Sequence, residues 1–338
     1  MAFLTALGLY CAGGRGWKCG ENITRILSTG LWQRAIFNPI LPSNTMKHQR
    51  LRIIQALSLG LALGLGSCAT LQSGGVLPPE TVELFVGRPE HILPVWTALG
   101  PGLDFYAARV GKPALRLRAL RVDLNDPAIS IVVGPTGPGD GTTASIKTST
   151  FVRDYGCAAG INTLPFEPVS AVEGEARRIV GISISGGTRI APLDPRYAAL
   201  IFRTDGSAAV VGQASLEDTE EPLHAAGGFF TILVRGQPQG NDRYRNPRTA
   251  AGVSVDGRTL YLVVIDGRSR SSIGTTAFET GNIMARLGAV DGLIFDGGGS
   301  STMALRARDG SVRVVNVPVH SRLGGGERAV ASCLGIRY

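Results

Sequence analysis

The segment Gly292–Leu305, GLIFDGGGSSTMAL, drives an apolar run into one aspartate, three glycines, two serines and a threonine, then turns apolar again at Met303. So short and apolar a run as Leu293-Ile294-Phe295 reads as a buried strand. Glycine costs conformational entropy wherever it is not needed, so three in succession imply that the backbone after the strand lies close to something else. Upstream, RTAAGVSVDGRTLYLVVIDGR (248–268) reads as a hairpin turning at Asp256-Gly257. Thr276–Leu287 reads as a helix. Thr276 and Glu279 have capping-box spacing, Phe278, Ile283, Met284 and Leu287 make an apolar face, and Gly288 ends it. Tyr261–Asp266, this helix and Leu293–Asp296 thus form a strand–helix–strand unit, read as a parallel crossover. Both strands then end on one sheet edge, which brings Asp266 and Asp296 towards one crevice.

The rest of the chain is organised around similar signals. Alternating apolar residues at 115–124 and a second run to Pro135 give two strands separated by Asn125-Asp126-Pro127. TSTFVRDYG reads as a short helix capped by Thr148 or Ser149 and stopped by Gly156. CAAGINTLPF reads as a buried strand ending at Asn162. YAALIFRTDGSAAVVG reads as a hairpin at Asp205-Gly206. The expected fold is α/β to α+β: a mixed β-sheet core with flanking helices in a single main domain, 81–338. Cys157 and Cys333 sit in small apolar stretches, which favours two buried free thiols over a disulfide.

Charge bears on partners. Of 34 Lys/Arg and 26 Asp/Glu, residues 1–67 hold seven and one, leaving 27 against 25 in the remainder. The body is nearly neutral, and no basic stripe argues for nucleic acid. From Met46 the chain reads MKHQRLRIIQALSLGLALGLGSC: a positive stretch, then 14 apolar residues at 53–66, too few for a comfortable span. Leu65-Gly66-Ser67-Cys68 resembles a bacterial lipobox, with Cys68 as the lipidated residue. This makes 46–67 a lipoprotein signal peptide, 68–80 a linker and 1–45 an over-extended gene start. The implied location is the periplasmic face of the cell envelope, lipid-anchored and, with Ala69 next to the cysteine, at the outer membrane.

Asp296 and Asp266 are the candidate acid pair, with Asp296 the preferred nucleophile or base. Gly297, Gly298 and Gly299 permit backbone N–H groups to form an anion nest, and Ser300, Ser301 and Thr302 add hydroxyls. The competing reading is a tight turn in which Asp296 caps its own backbone. Walker A, GxGxxG and GxSxG patterns all fail at this loop. His224 and His320 are isolated, so no zinc site is expected. No cofactor is expected; calcium is conceivable for an acid/glycine loop, but acids at alternate positions are absent.

Four blocks, NPRTAAGVSVDGRTLYLVVIDGR, DGLIFDGGGSSTMAL, VVNVP and GGGERAVASCLGI, resemble in order and spacing the phosphodiester glycosidase family, over about residues 110–338. AAGINTLPF is similar to that family's Asn-x-x-x-Phe block, with Asn162 and Phe166, although Thr163-Leu164-Pro165 departs from its usual two small residues and an aromatic. The resemblance implies hydrolysis of the glycosidic C–O bond of sugar 1-phosphodiesters, or of a related envelope or exopolysaccharide glycan. Arg248, Arg268 and Arg328 fall inside matched blocks and would face the phosphate, Arg248 and Arg268 as catalytic candidates and Arg328 with Asn162, Phe166, Thr249 and Glu327 among substrate-binding candidates. Carboxylates suit oxocarbenium-like charge. The departing phosphate monoester, with a second pKa near ~6, needs little acid assistance. Arginines can supply what an acid would. Two other readings remain: a non-catalytic glycan- or phosphate-binding lipoprotein, and a phosphodiesterase cutting P–O, which would normally want metal ions.

Overall fold

This computed structural model describes residues 94–338 other than 112, 170–171, 217–221, 242 and 321–325, together with the backbone of Thr81–Val82. All of them fall in one compact unit. The expectations for 1–45, for the signal peptide 46–67, for Cys68 and for the linker to residue 80 lie outside the described residues.

The architecture is mostly β. The largest sheet runs, from edge to edge, Thr81–Val82, Leu103–Val110, Leu115–Asp123, Thr259–Ile265, Arg248–Val253, Asp291–Ile294, Thr231–Val234 and Gln237–Pro238, with Thr97–Gly100 added beside Leu103–Val110. A second sheet orders Val312–Val314, Met303–Arg306, Ala159–Asn162, Cys333–Arg337 and Ser130–Gly134. The hairpin Ala198–Phe202/Ala208–Gly212 belongs to a third sheet and turns at Asp205-Gly206, as its sequence implies. The expectation of an α/β core with flanking helices is corrected here. Among the described residues there are two α-helices, Thr148–Asp154 and Ala277–Leu287, and strand pairing is antiparallel except at Thr81–Val82.

The crossover unit is real in direction but skips a neighbour. Thr259–Ile265 and Asp291–Ile294 each pair antiparallel with Arg248–Val253, which lies between them. Two strands antiparallel to the same third strand run parallel to one another, so both deliver their C-terminal ends to one edge. The start of Arg248–Val253 lies at that edge too.

The large sheet is buried on both faces, which explains unbroken apolar runs such as Tyr261–Ile265. Tyr106, Ala250, Val263, Ile265 and Ile294 face the helix Ala277–Leu287. Phe105, Ala251, Leu262, Val264 and Leu293 face the other sheets across the larger core. The helix begins at the expected capping box, with Glu279 N donating to Thr276 Oγ1 at 3.1 Å and Thr276 N to Glu279 Oε2 at 3.0 Å, and it ends at left-handed Gly288 (φ 113°). Its buried face differs from expectation. Thr280, Gly281, Met284 and Leu287 are buried, whereas Phe278 is 40% exposed. Gly281 decides the rotation: a Cβ there would stand 2.2 Å from the Ile232 carbonyl oxygen, so the helix lies directly on the strand Thr231–Val234.

The short helix also departs from its expected cap. Lys147 holds the N-cap position without a side-chain bond, and Thr148 is already helical. The capping acceptor comes from far along the chain: Ser149 N donates to Glu327 Oε1 at 3.0 Å, and the Ser149 hydroxyl donates to Glu327 Oε2. Cys157 and Cys333 are both buried free thiols, with burial pushing Cys157 up to about 11. Among the described residues no helix is long and apolar enough to cross a membrane.

Candidate functional site

Asp296 leaves the sheet directly after the strand Asp291–Ile294. Its amide donates to the Thr163 carbonyl at 2.8 Å, and its own carbonyl accepts from Asn162 Nδ2 at 2.7 Å. Asn162 is fully buried, and its Oδ1 takes two further bonds, from Thr249 Oγ1 at 2.8 Å and from Thr302 N at 3.1 Å. One side chain therefore ties together the strand end, the neighbouring strand and the far end of the glycine loop. Sequence reasoning placed Asn162 and Thr249 among substrate contacts; both are 0% exposed and spend these groups on the protein. Phe166 likewise packs into the larger core.

The loop Gly297–Thr302 closes as a tight turn, Gly298–Ser300 being a single 3-10 turn. The amides of Gly298, Ser300 and Ser301 donate to Pro247 O, Gly297 O and Gly298 O, at 3.0, 3.2 and 3.4 Å. Thr302 N is held by Asn162. Of the glycine amides expected to form an anion nest, that of Gly298 is thus engaged within the protein, as are the amides of Ser300, Ser301 and Thr302. The glycines serve a different close approach. A Cβ on Gly298 would stand 3.2 Å from Arg268 Nη2, and one on Gly299 would stand 2.5 Å from Arg328 Nη2. Two guanidinium groups lie where side chains would otherwise be.

Three arginines gather here, each anchored by part of its fork. Arg248 donates from Nε to Thr275 O and from Nη2 to Tyr244 O, both at 2.9 Å. Arg268, in the left-handed region at φ 56°, donates from Nε and Nη2 to Asn246 Oδ1 at 3.2 and 2.9 Å. Such a backbone is unfavourable for a side chain with a Cβ and persists only where the surroundings hold it. Arg328 donates to His320 Nδ1 at 3.1 Å and to Ser300 Oγ at 3.2 Å. Burial lowers the pKa of Arg248, and the positive charge of Arg268 lowers it further. Arg328 is lowered by burial, raised by Asp296 and lowered again by Arg268. His320 is pulled down by burial and then by Arg328, which suits an imidazole accepting from a guanidinium. Among the described residues, no carboxylate forms a salt bridge with Arg248, Arg268 or Arg328. Unpaired guanidinium groups converging on one spot make an anion site.

Asp296 is partly exposed. Burial raises its pKa, opposed by hydrogen bonding from Ser300, by Arg328 and by the Gly297 amide. Asp266 is placed differently. It follows Ile265 with the parity of Leu262 and Val264, towards the core between sheets. It is 3% exposed, and its Oδ1 accepts from Val317 N at 2.8 Å and Asn316 Nδ2 at 3.2 Å, while Oδ2 has no partner among the described residues. Burial raises its pKa; Val317, Asn316, Arg118 and Arg116 oppose the rise. Asn316 also donates to Ser301 O at 2.9 Å, and its Oδ1 accepts from Met303 N at 2.9 Å. The two acids therefore share a sheet edge, with Asp266 standing behind the loop and Asp296 in front of it.

Asn316, Asn246 and His320 were not singled out from the sequence. The two asparagines lie inside the VVNVP and NPRTAAG blocks, so the blocks carried a signal that polarity alone did not rank. Glu327 lies beside Arg328 in sequence, but its carboxylate is committed to the helix Thr148–Asp154. Glu279 belongs to its capping box and pairs with Arg245. Among the described residues no cluster of three or more His, Cys, Asp or Glu side chains is placed to hold a metal.

A cavity of about 440 Å³ adjoins the arginines, walled by Arg248, Asn246, Gly297, Tyr244, Phe230 and Phe295 among others. Beside it the arrangement offers one carboxylate, an anion-holding arginine row and a loop whose shape is fixed from behind.

A family model described as phosphodiester glycosidase matches residues 155–337. The SPbeta prophage-derived uncharacterized protein YomE of Bacillus subtilis is 34% identical over 94 residues, which is 28% of this chain and 13% of that protein. The match thus spans about an eighth of that relative's length. Among solved structures, the zebrafish N-acetylglucosamine-1-phosphodiester alpha-N-acetylglucosaminidase catalytic domain, auto-inhibited by its pro-peptide, aligns at TM-score 0.53 and 19% identity, covering 72% of this chain and 85% of that one. A Burkholderia pseudomallei protein described as exported (BPSS2145) aligns at 0.50 and 18%, covering 66% and 74%. A hypothetical protein from Synechocystis aligns at 0.51 and 13%, covering 70% and 62%. These likenesses establish the shared fold.

Proposed function

The chain belongs to the phosphodiester glycosidase family, and from that premise we propose that it hydrolyses the glycosidic C–O bond of sugar 1-phosphodiesters in a bacterial cell envelope. The observation that carries this reading is the row of three arginines that, among the described residues, form no salt bridge, two of them lying against the glycine loop beside Asp296. Arg248, Arg268 and Arg328 hold the phosphodiester and take up charge as the C1–O bond breaks. Asp296 stabilises the oxocarbenium-like centre or attacks it. Water supplies the oxygen that ends on C1, and the bridging oxygen leaves with the phosphate monoester. That leaving group is weakly basic, so the lack of an exposed second acid beside Asp296 among the described residues does not obstruct the step. Asp266 and Asn162 act as positioning residues in this scheme, since both are buried and reach the loop through hydrogen bonds. The lipobox-like Leu65-Gly66-Ser67-Cys68 supports export and a lipid anchor at Cys68, and the envelope location rests on it.

The test is hydrolysis of a panel of sugar 1-phosphodiesters in ¹⁸O water. The expected result is label on the sugar hemiacetal and none in the phosphate. Label in the phosphate would instead identify a phosphodiesterase. Tight binding of the whole panel without turnover would favour a binding lipoprotein of a polysaccharide assembly system. For the anchor, Cys68→Ser should abolish lipid labelling and release the protein from membranes.

A further inference from the structure

The 440 Å³ cavity lies at one end of the arginine row. Arg248 and Gly297 form part of its wall, whereas Asp296 and Arg328 do not. The row follows the glycine loop: Gly297 lies against the Pro247–Arg248 backbone, Gly298 against the Arg268 guanidinium and Gly299 against that of Arg328, the arginine whose charge bears on Asp296. A phosphodiester lying along that row, with its sugar carbon at Asp296, directs its other ester group into the cavity.

The lining says what that group is. Ile232, Ile294 and Phe295 are all but inaccessible and offer only hydrocarbon, joined by Phe229 and Ala277. Two of the polar atoms nearby are already engaged: Asn246 Oδ1 receives Arg268, and Asn241 Oδ1 receives Arg243 N at 3.3 Å. A ring of hydroxyls entering this space would lose water and meet a mostly hydrocarbon floor, which is costly. At the rim stand Phe230 and Tyr244, 60% and 71% exposed. Phe230 is braced rather than loose, stacked on Phe229 at 6.0 Å and edge-on to Tyr197 at 5.9 Å. Exposed rigid aromatic surface beside an apolar cavity marks a ligand site.

We propose that this cavity is the subsite for an apolar aglycone, so that the preferred substrate is a sugar 1-phosphodiester of an aliphatic, lipid-like alcohol. This deepens the proposed hydrolase function and rests on it for the identity of the phosphate end. The leaving product is then an alkyl phosphate, held by Arg248 while its chain lies against Phe230, Tyr244 and Phe295.

Two measurements test this. First, kcat/KM is compared for a hexose 1-(octyl phosphate), a hexose 1-(methyl phosphate) and a hexose 1-(hexose-6-phosphate). The octyl diester should exceed the methyl diester by about 30-fold, a fraction of the full transfer of seven methylenes because the rim is open. The double variant Phe230→Ser/Tyr244→Ala should bring that ratio within about 3-fold; both side chains are mostly exposed, so the fold is retained. Second, calorimetric binding of octyl phosphate, methyl phosphate and hexose 6-phosphate reads the subsite without turnover. Octyl phosphate binding tightest, and losing that advantage in the double variant, supports the subsite even if no diester is cleaved, an outcome that would remove only the hydrolase reading. Equal behaviour of octyl and methyl probes in both measurements overturns the proposal. So does a hexose aglycone that matches or beats octyl, which would make the cavity a sugar subsite.

Discussion

Asp266 and Asp296 each stand just past a strand that ends at the same edge of the same sheet, yet Asp266 is 3% exposed and answers to Asn316 and Val317, whereas Asp296 is partly open beside Ser300 and the arginines. The difference comes from the chain around each acid. After Asp296 the backbone folds back as a glycine turn, so guanidinium groups can lie against it. Behind Asp266 the segment containing Asn316 and Val317 closes over the carboxyl and links it to Ser301. Similar local sequence, an apolar strand ending in Asp-Gly, thus yields one reactive-looking carboxylate and one structural one. Exposure and charge partners, not position at a strand end, divide chemistry from support.

The two acids should respond unequally to the same substitution. Asp296→Asn preserves shape but removes charge from the reaction centre, so kcat should fall by ~10²–10³ with thermal unfolding nearly unchanged. A comparable activity loss in Asp266→Asn with an unaltered KM would break the distinction between them.

Asn162→Ala probes the support beneath Asp296. It removes bonds to Asp296 O, Thr249 and Thr302 N, leaving buried groups unmatched. A loss of about 2–3 kcal/mol in denaturant unfolding is expected, with activity falling in parallel.

Glu327→Ala separates the neighbours Glu327 and Arg328. Glu327 caps the helix Thr148–Asp154, so its loss should cost about 1 kcal/mol of stability while KM for the diester stays put. A large rise in KM would return Glu327 to the substrate.

The smallest signal is a pH slope. Burial raises the pKa of Asp266 in the folded protein, so the native state holds that proton to higher pH than the unfolded chain does. Its contribution is therefore most favourable at low pH and is lost as pH climbs from about 4 through the raised folded value. Urea midpoints of wild type minus Asp266→Asn should decline along that climb; a rising difference would show that the hydrogen bonds from Val317 and Asn316, with Arg118 and Arg116, outweigh burial.

Much of this molecule was legible locally. The hairpins at Asp205-Gly206 and Asp256-Gly257 and the Thr276/Glu279 capping box depend on residues a few positions apart, and they form as their sequences imply. The family, too, was readable, because block order and spacing survive where overall identity is low. The convergence of Asp266 and Asp296 on one sheet edge came from strand direction, and Arg248 from the family resemblance, even though an intervening strand went unforeseen. The helix face was misjudged at Phe278 because hydrophobicity cannot show that Gly281 meets the Ile232 carbonyl.

What the sequence by itself determined was the hairpin turns, the capping box of the longer helix and the strand ends, since each is governed by short-range backbone preference and hydrogen bonding. Only the tertiary structure decided that Glu327 caps a helix 178 residues away, that Asn316 stands between the Asp266 carboxyl and the glycine loop, and that Gly298 and Gly299 make room for arginines. Those outcomes depend on which surfaces meet when the sheets pack, and contacts between residues so distant in the chain leave no local pattern to read.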